Sequence, residues 1–232
     1  MSLMIRNPIV KNATTNSDKN AILEHGKSTT YSELAENCSR VAGTLIDLGI
    51  RPGDRIALLA MPTTQYLETF SAITGLGCAF IPLNTRLTIP ELAEIFRDCA
   101  PKILICDQEH KNMGEQLIEL TRLSKLFLLN NLFNSSSSSL LTEHRPDTIH
   151  SIIYTSGTTS TPKGVILTWE NLYESAEGSL ANLRSKPDDL WLCCLPLNHI
   201  GGLSIPIRTA FSGTCTLLHD GFDPVLVSTV LR

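Results

Sequence analysis

The stretch QYLETFSAITGLGCAFIPLNTRLTIPELAEIFRDCAPKILICD, residues 65–107, switches repeatedly between two patterns. Residues 65–78 read as a helix, residues 79–84 are apolar and strand-like, residues 89–99 return to a helix opened by Pro90, and residues 102–107 are strand-like again. Strands that are apolar throughout, separated by amphipathic helices, predict a mostly parallel sheet covered on both faces. The expected fold class is α/β.

The alternation extends in both directions. Upstream, Thr30 and Glu33 have capping-box spacing, and Leu34, Cys38, Val41, Leu45 and Leu48 share one helical face before Gly49 stops the helix. A turn at residues 51–54 then leads into the strand-like residues 55–61. Downstream, residues 115–123 predict a helix and residues 125–129 a strand. Residues 130–147 break the pattern, and five consecutive serines there have nothing to bury, which suggests a mobile surface linker. The linker divides the chain into an expected first subdomain (4–133), a serine-rich connection (134–150) and a second subdomain (151–232). One continuous domain with a loose loop fits the same residues. Residues 169–183 predict a helix, residues 189–196 and 214–219 strands, and residues 223–232 a helix without a stop signal, so the chain reads as a piece of a longer protein. Met1, Ser2 and Leu3 read as a leader ahead of a start at Met4.

Composition narrows the partners. Of the 232 residues 42% are hydrophobic and 18% charged, and the net charge is -4, with a pI near 5.9. That balance provides no basic field for nucleic acid or an anionic membrane surface and points to small-molecule partners. No apolar run reaches the roughly 18 residues of a membrane span, and no charged-then-apolar leader opens the chain, so a cytoplasmic protein is expected. Seven scattered cysteines, without C-x-x-C or zinc spacing, read as small core residues in a reducing compartment, and no metal ligands are assigned. Cys193 and Cys194, adjacent in a strand-like run, should face opposite ways.

Residues 152–168, IIYTSGTTSTPKGVILT, join two β-like runs by a loop rich in hydroxyls and glycine. Consecutive backbone N–H groups, Ser and Thr donors and one lysine are the chemistry of a triphosphate cradle; a solvated hairpin loop is the plainer reading. The P-loop pattern is excluded, because Pro162 precedes Lys163 and Gly164 follows it. His199, beside two glycines, reads by itself as a turn residue.

The segment YTSGTTSTPKG, residues 154–164, resembles the phosphate-loop signature of the adenylate-forming superfamily, apart from Ser160 where a glycine is usual. LPLNHIGGLS, residues 195–204, resembles that superfamily's acyl-pocket segment, with His199 on its histidine and Asn198 where a phenylalanine is usual. CAFIPLNTRLTIPEL, residues 78–92, resembles a third family pattern, in which Asn84 and Arg86 shape the fold. The compressed first half and the lead-in to residues 188–204 resemble most the o-succinylbenzoate-CoA ligases of menaquinone biosynthesis, within the acyl-CoA synthetases.

The resemblance implies an AMP-forming acid-thiol ligase that uses ATP, Mg2+ and CoA to activate a carboxylic acid. It assigns Thr155, Ser156, Gly157, Thr158, Thr159 and Lys163 to the triphosphate, with Lys163 as charge carrier, and His199 to the acyl entrance. Another acyl-CoA synthetase acting on a fatty or aryl acid, or a non-catalytic nucleotide-binding module, would share the motifs. The family's magnesium-binding glutamate segment, ribose-binding aspartate and C-terminal lysine domain are not found, so residues 1–232 alone are expected to be inactive and to bind ATP weakly.

Overall fold

A computed structural model of the chain describes residues 4–122, 125–155 and 162–230. In chain order the first elements are β1 (Ile5–Arg6), α1 (Pro8–Thr15), β2 (Asn20–Glu24), β3 (Lys27–Thr30), α2 (Tyr31–Asp47), β4 (Arg55–Leu59) and α3 (Thr64–Gly75). Next come β5 (Ala79–Pro82), α4 (Ile89–Cys99), β6 (Ile103–Cys106), α5 (Lys111–Thr121), β7 (Lys125–Leu128) and a 3-10 turn, η1 (Leu129–Phe133). The remainder is β8 (Glu143–His144), β9 (Ile149–Thr155), β10 (Lys163–Thr168), α6 (Trp169–Leu183), β11 (Leu190–Cys193), α7 (Ile200–Ser212), β12 (Cys215–Leu218) and α8 (Pro224–Val230).

Three sheets form. The largest has the order β10-β9-β5-β4-β6-β7 and is parallel except for the antiparallel edge strand β10. A second has the order β11-β12-β2-β3, with only the β2–β3 hairpin antiparallel, and β1 pairs with β8 separately. The expected α/β class with mostly parallel sheets is what the chain adopts.

Alternation along the strands shows how both faces are covered. Ile56 and Leu58 of β4, with Ile103 and Ile105 of β6, pack into one core with Leu34, Cys38 and Val41 of α2 and Phe70 and Ile73 of α3. Ala57 and Leu59, with Leu104 and Cys106, pack on the other face against Leu92 and Phe96 of α4 and Leu117 of α5. The first core continues to Ile22 of β2 and Leu218 of β12, so α2 and α3 contribute to a core shared by both larger sheets. Tyr31 closes it, its hydroxyl 2.9 Å from the Thr209 carbonyl and 2.7 Å from that of Thr214.

Local signals explain the helix starts. Thr30 and Glu33 form the expected capping box of α2, Thr88 and Glu91 form another at α4, and Pro90 occupies an N-terminal position where its missing N–H costs nothing. Helix α5 begins one turn before the expected 115, because Asp107 accepts from the backbone N–H of His110 at 2.9 Å and fixes that cap. Leu123, its expected end, lies outside the described residues, as do Met1, Ser2 and Leu3. Cys38, Cys78, Cys99, Cys106 and Cys193 are buried free thiols, and Cys194 and Cys215 are half-buried.

Residues 134–150 do not stand apart from the rest of the chain. The serine run is strapped to the fold: the Ser138 N–H donates to the Ser39 carbonyl (2.9 Å), Ser135 Oγ donates to Asp47 (2.9 Å), and Leu140 is buried beside Gly75. The contacts to Ser39 and Gly75 run through backbone atoms, which a polar composition does not reveal. Nor does the run divide the sheets, since β9 of the later half pairs with β5 and β2 of the earlier half pairs with β12.

The strap has a consequence for Gly43 on α2. A Cβ there would stand 2.0 Å from the Ser136 carbonyl oxygen. Alanine gains helix propensity of about 1 kcal/mol over glycine, but this overlap with backbone typically costs about 2–3 kcal/mol. Gly43→Ala should therefore lose about 1–2 kcal/mol in urea unfolding; a stabilised variant would mean that the serine run does not press on α2.

Candidate functional site

The base of the expected phosphate loop is a strand pair. Thr155 ends β9, Lys163 begins β10, and the two are register partners. One pair further in, Tyr154 lies opposite Gly164, where a Cβ would stand 2.9 Å from an Ile152 methyl and 3.0 Å from the Tyr154 ring. Glycine at 164 lets that ring cover the ladder. The Tyr154 hydroxyl in turn donates to Asp98 near the end of α4, and burial, with this bond, holds the phenol well above its usual pKa. Ser156, Gly157, Thr158, Thr159 and Ser160 lie outside the described residues.

Lys163 is exposed, and among the described residues no ion pair engages it. An ammonium without an ion-pair partner among the described residues, on the strand position paired with Thr155 and eight residues after it, suits a polyphosphate, whose charge it meets without first breaking a bridge.

His199 stands at the N-terminus of α7. Its carbonyl accepts from Gly202 (3.1 Å) and Leu203 (3.0 Å), which leaves the exposed imbalance of the first turn partly satisfied, and its ring makes no capping bond. Gly202 is required by close packing, since a Cβ would meet the Pro196 carbonyl oxygen at 2.4 Å. His199 borders a cavity of about 340 Å3 between the C-terminal ends of β4 and β5 and the segments around 194–199 and 220–222. Neither Thr155 nor Lys163 lines that cavity, so the described residues form two separate parts of the expected site.

Asn84 and Arg86 follow the end of β5. Asn84 Oδ1 accepts from the Arg86 N–H at 3.0 Å, turning the chain after β5, and both residues also line the cavity. Tyr66, Met61 and Phe222 line it too and were not singled out from sequence. The available signal was position: Met61 follows the C-terminal end of β4, where open α/β sheets commonly bind ligands.

The sequence profile of AMP-binding enzymes matches residues 9–231. The chain belongs to that AMP-binding enzyme family. It is similar to the 2-succinylbenzoate--CoA ligase of Listeria monocytogenes serovar 1/2a, 34% identical over 213 residues that cover 91% of this chain and 44% of the relative. The corresponding Geobacillus ligase is 32% identical, with 96% and 44% covered. Among solved structures, o-succinylbenzoate CoA synthetase from Bacillus subtilis in complex with the acyl-adenylate OSB-AMP superimposes with a TM-score of 0.90 at 28% identity, covering 99% of this chain and 46% of that one. The same enzyme in complex with ATP and magnesium ion gives 0.90 at 26% identity, covering 99% and 61%. The chain thus spans under half the length of the curated relatives it matches.

Within this AMP-binding chain one group of potential metal ligands occurs among the described residues, Glu24, His25 and Asp220. Its members already have partners: His25 Nε2 lies 3.0 Å from Asp220, and Glu24 accepts from the Thr64 hydroxyl at 2.8 Å. No helix among the described residues is long and apolar enough to cross a membrane.

Proposed function

We propose that the chain supplies the triphosphate grip and the acyl entrance for an AMP-forming acid-thiol ligation, with o-succinylbenzoate as the acid and CoA as the thiol, a step of menaquinone biosynthesis. The observation that carries this reading is the register pairing of Thr155 with Lys163, which has no ion pair among the described residues, at the two ends of the segment that resembles the family's phosphate loop. The names of the relatives support the choice of acid.

In the first half-reaction a carboxylate oxygen attacks the α-phosphorus of ATP, and the bond to the bridging oxygen breaks. The electron pair leaves with pyrophosphate. Lys163 meets the charge that grows on that leaving group, and the hydroxyls and backbone N–H groups of Thr155, Ser156, Gly157, Thr158 and Thr159 share it. Mg2+, arriving with the nucleotide, supplies further neutralisation. In the second half-reaction the CoA sulfur attacks the acyl carbonyl, the acyl–phosphate bond breaks, and AMP departs. His199 borders the space in which the acyl group would sit.

The test is a chimaera in which this chain replaces the matched residues of the Listeria monocytogenes ligase and the rest of that enzyme is retained. AMP release that depends on o-succinylbenzoate and CoA, with kcat/KM at least tenfold above that for benzoate or octanoate, is the expected result. A folded chimaera that forms no o-succinylbenzoyl thioester, or that prefers a plain aryl or fatty acid, would refute the proposal.

A further inference from the structure

Lys163 stands on an edge strand with little behind it. Among the described residues β9 is the one sheet neighbour of β10, and Val165 and Ile166, which point to opposite faces, are 46% and 55% exposed. Gly164 is held more closely. Tyr154 lies opposite it in register, and a Cβ at 164 would stand 3.0 Å from the ring carbon that carries the hydroxyl and 3.1 Å from the hydroxyl oxygen. The outer end of the phenol therefore rests on the β10 backbone. That end is also anchored elsewhere: the hydroxyl donates to Asp98 on α4, and the ring is buried in the core that holds Phe96 and Cys99 of the same helix. A phenylalanine would fill this space as well. What the tyrosine adds is a bond that ties α4 to the point of β10 at which glycine leaves room for a side chain to press.

We propose that Tyr154 is a positioning residue for adenylation: tied to Asp98, it holds the β10 backbone at Gly164 and thereby fixes the root of the Lys163 side chain. The inference rests on the reading of Lys163 as the charge carrier and extends it to what aims that charge. The need is physical. A lysine ammonium rides on a flexible stem, and a strand with few buried contacts opens more readily than one in the core of a sheet. A displacement of about 1 Å can cost on the order of a hundredfold in rate, so a cation at the first residue of such a strand needs its starting point held. Thr155, the register partner of Lys163, directly follows Tyr154 in β9, so the same phenol steadies both ends of the segment that resembles the phosphate loop.

Tyr154→Phe keeps the ring over Gly164 and removes the link to α4. In the 232-residue chain, amide hydrogen exchange of the β10 groups that bond β9 should quicken about fivefold to tenfold, the loss of about one hydrogen bond, while β4 and β6 of the same sheet exchange as in the parent. In the chimaera, kcat for pyrophosphate exchange should fall about tenfold at unchanged KM for the acid. Asp98→Asn, which still offers the phenol an acceptor, should stay within about twofold of the parent rate. Because Tyr154 acts through Lys163, Tyr154→Phe should cost nothing further in a Lys163→Ala chimaera. Parental exchange in β10, or a parental rate in Tyr154→Phe, overturns the positioning role and leaves the ligation untouched. A loss that recurs in full beside Lys163→Ala places the effect of Tyr154 elsewhere and overturns it too. A folded parent chimaera that forms no adenylate removes the step that Tyr154 would serve and overturns this proposal together with the ligase reading.

Discussion

Lys163→Ala in the chimaera is expected to lower kcat for acyl-adenylate formation roughly a hundredfold, on the order of 3 kcal/mol, while KM for the acid changes little. The size follows from the placement of the side chain. Lys163 begins an edge strand, has no carboxylate partner among the described residues, and stands in register with Thr155 at the opposite end of the loop. A cation so placed gains most when negative charge concentrates on the departing pyrophosphate, so its contribution is larger in the transition state than with bound ATP. Pyrophosphate-exchange kinetics would measure the first half-reaction alone. If exchange proceeds at the parental rate, Lys163 has no part in the chemistry. A uniform rise in KM for ATP at constant kcat would reassign it to ground-state binding.

A second large effect is expected in acid. His144 is buried and stacked on Trp169 with ring centroids 3.9 Å apart, and both of its nitrogens lack partners among the described residues. His150 meets the edge of the same indole at 4.9 Å. Burial lowers the pKa of His144 from 6.5 to about 4, and burial together with His144 lowers that of His150 to about 3. Burial raises the carboxyl of Glu68 from 4.5 to about 7, although Asn37 donates to it.

Between pH 6.5 and 4.5 these shifts oppose one another. Each histidine takes up a proton in the unfolded chain that the folded chain refuses, so stability falls as the pH drops. Glu68 does the reverse, holding a proton in the folded chain that the unfolded chain lacks. The balance is about one extra proton on the unfolded state, a loss of about 1.4 kcal/mol per pH unit and about 3 kcal/mol across the window. Above about pH 8 the three groups contribute no slope. Urea unfolding at several pH values checks the sign group by group. Glu68→Gln should roughly double the slope, and His144→Phe, which keeps a ring against Trp169, should flatten it. A slope unchanged by His144→Phe would show that this imidazole is protonated in the folded chain.

Much of the fold was legible because its signals are local. The capping residues of α2 and α4 and the apolar runs of β4, β5 and β6 each carry their meaning within a dozen residues. The hairpin of β2 and β3 and helix α7 were not singled out. Leu23 and Glu24 sit in a strand with one near partner, β3, and one remote partner, β12, and α7 contains Gly201, Gly202 and Pro206, which argue against a helix until the Pro196 carbonyl is seen pressed against Gly202. The phosphate loop was read from its residue types and its resemblance, and of its residues only Tyr154, Thr155, Pro162, Lys163 and Gly164 lie among the described ones. Tyr66 was invisible in the sequence for a different reason: an aromatic residue on a buried helix face looks like packing, and only the folded chain puts it among the residues that line the cavity.

The pairing of β2 with β12 bears on how the chain comes to be folded in a cell. Ile22 and Thr216 are register partners, yet about 190 residues separate them, and at about 5–20 residues per second of synthesis the first emerges roughly ten to forty seconds before the second. Throughout that interval the hairpin offers one bare backbone edge, the kind of surface that recruits strands from other molecules. Until residue 218 has emerged, shielding of residues 20–24 would keep that edge from pairing elsewhere.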